Sequence, residues 1–313
     1  MEFPHEIREY VEELAAGRKD LPRAVELLSQ RYRGESGSGK PLLNGDLDVL
    51  AYAAVRMPAT FGAASKALEL TLDHFNGDIG SILDAGAGTG AASLAAYLLT
   101  GCGDVTCVER EQGMINMGAE LSKRCGADFR WIRRDVAGGL ERHADLVISA
   151  YCLNEMTASG RRAVLEELWS AADKLLVIIE PGTPEGFSQL KQARALLTEL
   201  GGYIAAPCPQ IGECPLTEGD WCHFTARIAR SRLHKRLKGG EVPYEDEKFG
   251  FIAVSREKCD PCCARILRHP RVDSGRITLR LCTAQGIEER VVTKKSPLFK
   301  TARKSSGGES FQY

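Results

Sequence analysis

The sequence predicts an α/β protein with an open, doubly wound parallel sheet, an N-terminal helical region and a C-terminal α+β extension. Between residues 79 and 206, short apolar runs alternate with helical segments: "GSILDAGAG", "DVTCVER", "DFRWIRRD", "ADLVISAYC" and "KLLVIIEPG". Such alternation is typical of parallel strands joined by crossover helices. The first run leads through three glycines into a helix of small residues, a turn typical of nucleotide-binding sheets. After residue 206 the composition changes to cysteine-rich and then basic.

The helical region is predicted for residues 1–78. "HEIREYVEELAAG" has Ile7, Val11 and Leu14 at helical spacing, and "LPRAVELLSQRY" repeats the pattern. A loop is expected over residues 34–46. Two more helices follow, broken at Pro58. The region therefore resembles a helical lid or adaptor in front of the sheet.

The extension is predicted for residues 207–304. It begins with a cysteine-rich loop, continues with a basic helix at "ARIARSRLHKRLKGG" and ends with two strands, "FGFIAVSRE" and "RITLRLCT". Residues 305–313 are rich in Ser and Gly and are expected to form a disordered tail.

Composition limits the class of protein. No apolar run approaches the ~20 residues of a membrane span, so no membrane contact is expected. The N-terminus lacks the apolar stretch of a secretory signal and the Arg-rich character of a transit peptide. Eleven cysteines, an odd number, favour free thiols and metal ligands in a reducing compartment. We therefore expect a cytoplasmic protein of a bacterium or archaeon.

The glycine turn is the first candidate site. Gly86, Gly88 and Gly90 give G-x-G-x-G after Asp84, where a dinucleotide fold has G-x-G-x-x-G. This pattern resembles the first motif of the class I S-adenosylmethionine-dependent methyltransferases. Glycines allow the backbone a sharp turn and close approach to a ligand.

Two acidic residues agree with this cofactor. Glu109 closes the second strand about twenty residues later, where its carboxylate can accept hydrogen bonds from ribose hydroxyls. The resemblance implies that Asp135, after the third strand, lies beside the adenine, and that Asp84 lies near the methionine amine. S-adenosylmethionine is therefore the expected cofactor.

The substrate side is less specific. The chain has "SAYCLNEM" after the fourth strand, in place of the Pro-Pro motif of amino-group methyltransferases. Asn154 and Glu155 face the expected substrate position, and Glu180 ends the fifth strand. These residue types suit substrate binding and helix capping equally. Both interpretations stay open, and so does the question whether a methyl group is transferred.

The stretch "PCPQIGECPLTEGDWCHF" contains Cys208, Cys214 and Cys222. Their spacing is looser than the C-x₂₋₄-C of structural zinc sites. Cys-Pro pairs recur beside iron–sulfur ligands, which favours a cluster, with zinc as the alternative. A fourth ligand is needed, and the candidates are Cys259, Cys262, Cys263 and Cys282; His223 could instead complete a zinc site or be a packed side chain.

The C-terminal third is strongly basic. Residues 221–304 contain 20 Lys and Arg against 9 Asp and Glu, although the whole chain has a net charge of −1. Such a block predicts a surface for a polyanion such as RNA. The candidate RNA-binding residues are Arg227, Arg230, Arg232, Lys235, Arg236, Lys238, Lys294, Lys295, Lys300, Arg303 and Lys304.

Six stretches together resemble a methyltransferase-like family of small-ribosomal-subunit assembly proteins. They are "YAAVRMPATF", "LDAGAGTG", "EPGTPEGF", "PCPQIGECPL…DWCHF", "PYEDEKFGFIAVSR" and "LCTAQG…KKSPLFKTARK". The family occurs in mitochondria and has bacterial and archaeal relatives. The resemblance implies a 4Fe–4S cluster on Cys208, Cys214, Cys222 and, as the best match for the fourth ligand, Cys282. It also implies binding to small-subunit rRNA.

The favoured function is therefore an rRNA-binding, methyltransferase-like factor that acts in small-subunit assembly or maturation and binds S-adenosylmethionine and a cluster. The alternative is a methyltransferase of a small molecule or protein with a structural zinc site. The basic block favours the first, because a small-molecule enzyme does not need it. A radical S-adenosylmethionine enzyme is disfavoured, because the chain lacks C-x₃-C-x₂-C.

Overall fold

The computed structural model describes residues 1–34 and 42–312, so residues 35–41 of the expected loop lie outside this description. The helices of the described residues are α1 (His5–Leu14), α2 (Leu21–Gly34), α3 (Asp46–Val55), α4 (Met57–Leu72), α5 (Ala91–Thr100), α6 (Gln112–Arg124), α7 (Ala158–Ala171), α8 (Pro184–Glu199), α9 (Arg232–Lys238) and α10 (Phe299–Lys304). None of the helices in these two ranges is both long and apolar enough to span a membrane.

The strands form two sheets. They are β1 (Ile82–Ala85), β2 (Val105–Glu109), β3 (Arg130–Arg133), β4 (Ala144–Ala150), β5 (Ala172–Pro181), β6 (Tyr203–Ala206), β7 (Phe224–Ala229), β8 (Tyr244–Ser255), β9 (Ala264–Ile266), β10 (Arg271–Asp273), β11 (Arg276–Thr283) and β12 (Gly286–Thr293). The larger sheet has the order β3-β2-β1-β4-β5-β8-β6, and β7 pairs with β8.

The first five strands are parallel, whereas β8 runs antiparallel between β5 and β6. The order reverses at β1 and β4, which is where open α/β sheets bind ligands. The predicted α/β fold with a doubly wound sheet is confirmed.

Each face of the larger sheet has its own core. Alternate residues of β5 point to opposite faces, as the two-residue period of a strand requires. Leu175, Val177 and Ile179 pack with α1–α5 on one face, and Leu176 and Ile178 pack with α7 and α8 on the other. The N-terminal helices therefore share a core with the sheet.

The smaller sheet forms a C-terminal module. Its order is β10-β11-β12, with β9 paired to β11, and all the pairs are antiparallel. Ile277, Leu279 and Leu281 of β11 pack with Ala302 of α10 in a separate core.

Two expectations about the extension are wrong. The larger sheet does not end at residue 206, because β7 and β8 complete it, so the Rossmann-like unit continues to Ser255. The expected basic helix at residues 226–240 also begins later, at Arg232. Burial alternates along β7, with Phe224, Ala226 and Ile228 buried, and this period of two forms a strand against β8.

The expected disordered tail is also wrong for residues 305–312. Gly308 N–H donates to Ile266 O at 2.7 Å, and Phe311 N–H donates to Ala264 O at 2.9 Å. Phe311 is only 1% exposed in the core of the smaller sheet. The tail is ordered because it satisfies the open edge of β9 and buries an aromatic ring.

We expect Phe311→Ala to lower the free energy of unfolding of the C-terminal module by about 3–5 kcal/mol, because it removes a buried ring. Urea unfolding, with hydrogen exchange at the β9 amides, measures this. Val272→Ala is the control, since Val272 is 56% exposed on β10. Equal stability of both variants would contradict the packed tail.

Candidate cofactor cavity and cysteine site

A cavity of about 240 Å³ lies at the carboxyl ends of β1, β2 and β4. Its walls come from the glycine turn after β1, the end of β2, the segments that follow β3 and β4, and helices α2–α4. Elements from both the sheet and the N-terminal helices therefore build one site.

The glycine turn forms the floor of this cavity. Gly86 has φ 76° and Gly88 has φ 57°, a conformation that strongly favours glycine. A Cβ at Gly86 would lie 2.6 Å from Cys152 Sγ, and one at Gly88 would lie 3.6 Å from Tyr52 Oη. Gly86 therefore packs against Cys152, whereas the backbone at Gly88 keeps ordinary contact distances to its neighbours and is open to the cavity.

Four of the six predicted cofactor residues line the cavity: Gly86, Gly88, Glu109 and Asp135. Asp84 and Gly90 lie behind it. Asp84 is 1% exposed, and its Oδ2 accepts hydrogen bonds from Ser93 N–H at 3.0 Å and Oγ–H at 2.6 Å. Burial raises its pKa to about 6. Gly90 is the N-cap of α5, with φ 78°. Both residues shape the turn.

The two predicted cofactor carboxylates that line the cavity, Glu109 and Asp135, are anchored to the backbone. Glu109 accepts from Gly88 N–H and from Glu111 N–H, both at 2.8 Å, and burial raises its pKa. Asp135 Oδ1 accepts from Ala137 N–H at 2.9 Å, and its Oδ2 faces Arg110 at 3.4 Å. Carboxylates accept more than one hydrogen bond per oxygen, so both retain capacity for ligand hydroxyls or amines.

The three candidate catalytic residues have different surroundings. Glu155 lines the cavity, and burial raises its pKa to about 7. Such a carboxyl group can exchange a proton near neutral pH. Glu180 is fully buried and accepts from Leu153 N–H at 3.0 Å and from Asn154 N–H at 3.1 Å. Glu180 therefore holds the turn after β4, and Asn154 contributes a backbone donor to it.

The N-terminal helices contribute lining residues that were not predicted from the sequence. Tyr32 of α2, Tyr52 of α3, Arg56 between α3 and α4, and Thr60 of α4 line the cavity. Residues 52, 56 and 60 follow one another at intervals of four across the one-residue break between α3 and α4. This polar stripe in an apolar segment was the signal that could have revealed them.

Tyr151 was not predicted either. It follows β4 directly, lines the cavity and has φ 59°, which is uncommon for a residue other than glycine. Its hydroxyl donates to Glu247 Oε1 at 3.1 Å. Glu247 belongs to β8, 96 residues away, so the partnership depends on the order of the strands.

The four predicted cluster ligands lie around a second, smaller cavity. Cys208, Cys214 and Cys222 come from the loop between β6 and β7, and Cys282 comes from β11. All four border a space of about 50 Å³. Burial raises the pKa of Cys222, and so do the neighbouring thiols of Cys208 and Cys282. The larger sheet and the C-terminal module meet at this site.

Two buried arginines accompany these thiols. Arg265 is 2% exposed and donates to Pro207 O, Gly308 O and Cys262 Sγ. Arg194 is 8% exposed and donates to Gln210 O and Ile211 O. Burial raises the pKa of Cys208, whereas Arg194 and Arg265 lower it. The site therefore supplies positive charge next to groups that become anions.

The remaining cysteines of the extension have other surroundings. Cys262 is buried beside Arg265, outside the cavity lining, and Cys259 Sγ donates to Glu257 O at 3.6 Å. Cys263 is exposed. Cys282 is the only one of the four candidates for a fourth ligand that borders the cavity.

In the described ranges, no group of three or more His, Cys, Asp and Glu side chains is arranged to hold a metal ion. The four cysteines nevertheless border one shared space.

The sequence as a whole matches a protein-family model described as Rsm22, mitochondrial small ribosomal subunit Rsm22, over residues 46–312. The chain belongs to the Rsm22 family. This match confirms the predicted resemblance to methyltransferase-like small-subunit assembly proteins.

Two curated relatives illustrate the similarity of this Rsm22-family chain. It is 26% identical over 289 residues to the human "Ribosome assembly protein METTL17, mitochondrial", which covers 83% of this chain and 61% of the relative. It is 24% identical over 369 residues to "Rsm22-cox11 tandem protein 2, mitochondrial" of Schizosaccharomyces pombe, which covers 98% of this chain and 48% of the relative. The chain thus spans about half to three fifths of the length of these relatives.

Two solved structures of methyltransferases are similar to this chain at low sequence identity. Magnesium protoporphyrin IX methyltransferase from Synechocystis PCC 6803, solved with bound SAM, has a TM-score of 0.44 at 14% identity, covering 82% of this chain and 99% of that one. The putative RNA methyltransferase PH1948 from Pyrococcus horikoshii has a TM-score of 0.41 at 20% identity, covering 62% and 83%.

The predicted bacterial or archaeal cytoplasmic location is wrong. The Rsm22 family model is described as mitochondrial, and so are the human and fission-yeast relatives. The prediction failed because location was inferred from the composition of the N-terminus.

The candidate RNA-binding residues of this Rsm22-family chain fall into two groups. Arg227 is bonded to Asp246 at 2.7 and 2.8 Å, and Arg230 and Lys238 pair with Glu245. In the described part of the chain, the other eight form no ion pair; they are Arg232, Lys235, Arg236, Lys294, Lys295, Lys300, Arg303 and Lys304. The last five are exposed at and beyond the end of β12.

Glu180→Gln tests the buried acid behind the cavity. Burial raises its folded pKa to about 8 from an ordinary 4.5, so between these values the folded state binds more protons than the unfolded state. The free energy of unfolding therefore falls as pH rises through this window, with a slope of at most about 1.4 kcal/mol per pH unit for one group. We expect Glu180→Gln to flatten the slope.

Urea unfolding at a series of pH values between these limits measures the slope. It does not vanish in the variant, because burial also raises the pKa of Asp84 and Glu155. The exposed Glu185 of α8, changed to Gln, is the control. Equal slopes in wild type and Glu180→Gln would contradict the buried position.

Proposed function

We propose that this chain is a methyltransferase-like, RNA-binding factor that acts in assembly or maturation of the small ribosomal subunit. It binds S-adenosylmethionine in the larger cavity and a 4Fe–4S cluster on Cys208, Cys214, Cys222 and Cys282. The observation that carries this proposal is the second cavity, where four cysteines join the larger sheet to a module with unpaired cations.

Membership of the Rsm22 family supports the ribosomal setting. The human relative is named as a ribosome assembly protein. This chain spans only 61% of that relative, so the relative's name does not by itself assign a role to this chain. We therefore propose that this chain acts on the small subunit or a precursor of it.

The larger cavity suits an adenosine-containing cofactor. The backbone at Gly88 is open to close approach, Glu109 is available to ribose hydroxyls, and Asp135 is available to the adenine amine. S-adenosylmethionine, when bound, supplies an electrophilic methyl group. Binding of this cofactor and of RNA is the function that the geometry supports best.

The arrangement of the cysteines favours a cluster over zinc. A 4Fe–4S cluster gives each of four thiolates its own iron, and the four cysteines border a common space. Cys208 and Cys214 are each followed by proline, and the spacing of the three loop cysteines is looser than that of structural zinc sites. Four thiolates on such a cluster carry net negative charge, and the buried Arg194 and Arg265 offset it.

The role of this cluster is structural. It would join the loop of residues 208–222 to β11, so its assembly and the folding of the module are coupled. The exposed cations of residues 294–304 lie on this module. Correct presentation of the RNA-binding surface therefore depends on the cluster.

The cations of α10 are spaced for phosphate contact. Lys300, Arg303 and Lys304 lie at i, i+3 and i+4 on its exposed side, opposite the buried Ala302. Lys294 and Lys295 precede them in the turn after β12. Five unpaired cations within eleven residues suit a nucleic-acid backbone.

Protein purified without air should be brown and contain four irons per chain. We expect Cys282→Ser to lose most of this iron, because it removes one of the four cavity thiols. Cys259→Ser is the control, since that thiol bonds to Glu257 O away from the cavity. Stoichiometric zinc without iron would contradict the cluster. A full iron content in Cys282→Ser would show that a residue other than Cys282 is the fourth ligand.

The triple variant Lys300→Ala, Arg303→Ala, Lys304→Ala should bind small-subunit rRNA fragments more weakly. Its affinity should fall less steeply with salt, with a log–log slope shallower by about 0.7–0.9 for each phosphate that the variant no longer neutralises. Fluorescence anisotropy across a salt series measures both quantities. The charge-neutral pair Arg227→Ala, Asp246→Ala is the control, because these two side chains already neutralise each other.

Cys208→Ser in the same assay separates the cluster from the cations. We expect it to weaken RNA binding by disordering the module. Equal, salt-insensitive affinity of wild type and all variants would remove the RNA role and favour the small-molecule methyltransferase.

A further inference from the structure

Arg56 is a cation of the larger cavity with no hydrogen-bond or ion-pair partner among the described residues. It lies at the junction of α3 and α4, and its side chain lines the cavity. Within the described residues its guanidinium makes no hydrogen bond or ion pair, and its Nε is buried. An unsatisfied buried donor is costly, so such a group points to a ligand.

The surroundings keep this guanidinium charged and in place. It lies 5.6 Å from the centre of the Tyr32 ring, within cation–π range. Burial would lower its pKa, but nearby Glu247 and Tyr151 outweigh this and raise it. Among the described residues no ion pair joins Glu247 to it, and Glu247 Oε1 accepts a hydrogen bond from Tyr151 Oη. The positive charge therefore remains available to the cavity.

The other cations of the cavity are already paired. Arg110 faces Asp135 at 3.4 Å and Glu111 at 3.5 Å, and Arg134 pairs with Glu141. The end of the cavity that contains Arg110, Arg134 and Glu109 presents acceptors suited to hydroxyl and amino groups. Among the described residues, the cavity thus has an acidic end with neutralised cations and a helical wall with one free cation.

The proposed cofactor has the complementary pattern. S-adenosylmethionine carries hydroxyl and amino groups, a positive sulfur and a single anion, the carboxylate of its methionine half. Arginine matches a carboxylate with two parallel N–H donors. We propose that Arg56 binds the α-carboxylate of S-adenosylmethionine, an inference that rests on the proposed cofactor binding.

This assignment gives the N-terminal helices a function. Arg56, Tyr52 and Tyr32 reach the cavity from α2–α4, so a ligand held by Arg56 links these helices to the glycine turn. A carboxylate on the ligand would satisfy the buried guanidinium. The helices are then part of the cofactor site and also part of the shared core.

The test compares S-adenosylmethionine with its decarboxylated form, which keeps the sulfonium and the amine. Titration calorimetry is performed on the full chain, purified without air. We expect Arg56→Met to lower the affinity for S-adenosylmethionine by about 10-fold to 100-fold. The affinity for the decarboxylated form should change by less than about threefold. Arg56→Lys should be intermediate, because it keeps the charge and loses the paired donors.

Arg110→Met is the matched control, since it removes a cation from the opposite end of the cavity. It should change both affinities by the same factor. Thermal unfolding by circular dichroism establishes that each variant is folded. Equal weakening of both ligands by Arg56→Met would assign Arg56 a structural role and overturn the inference.

Two further outcomes are distinct. If Arg56→Met weakens binding of rRNA fragments and leaves S-adenosylmethionine unchanged, the anion is a substrate phosphate and the inference fails. If the wild type binds neither cofactor form, cofactor binding itself is wrong, and the inference fails with it. Gly88→Arg, which fills the floor of the cavity, should abolish binding of both forms.

Discussion

The backbone pairing of β8 is the constraint on which both candidate sites depend. Residues 249–255 pair with β5 and complete the larger sheet, and residues 244–249 pair with β7. The same strand supplies Glu247 to Tyr151 at the cofactor cavity and Glu245 to the basic segment of α9. The cysteine loop connects β6 to β7, and both of these strands also pair with β8. A shift in the register of β8 would disturb all of these contacts together.

Buried charges are distributed unequally between the two cavities. Behind and within the larger one, burial raises the pKa of Asp84, Glu155 and Glu180. Around the smaller one, Arg194 and Arg265 are buried among thiols. Burial of an uncompensated charge destabilises a fold, so clusters of this kind concentrate at sites that bind something. The larger cavity therefore gathers acidic groups, and the smaller one places buried positive charge beside thiols.

The charge of the extension is partly neutralised within the fold. Although burial would raise it, hydrogen bonds from His234 and Lys238 hold the pKa of Glu245 well below its usual range. The carboxylates of Glu245 and Asp246 form ion pairs with three of the candidate RNA-binding residues, which are Arg227, Arg230 and Lys238. The net charge of a segment therefore overstates the charge available to a partner. Most of the unpaired candidate cations lie on α10 and in the turn before it, C-terminal to Cys282 in the sequence.

The sequence by itself determined the elements whose signals are local. Alternating apolar runs specified the sheet, the glycine turn specified the edge of the sheet at the larger cavity, and the cysteine-rich stretch grouped Cys208, Cys214 and Cys222. Only the tertiary structure decided which distant residues meet. The pairing of β9 with β11 brings Cys282 beside Arg265, and the shared core brings Arg56 to the cavity. It also showed that β7 is a strand and that the tail is packed. These outcomes depend on strand order and side-chain burial between segments far apart in the chain, which composition and spacing do not encode.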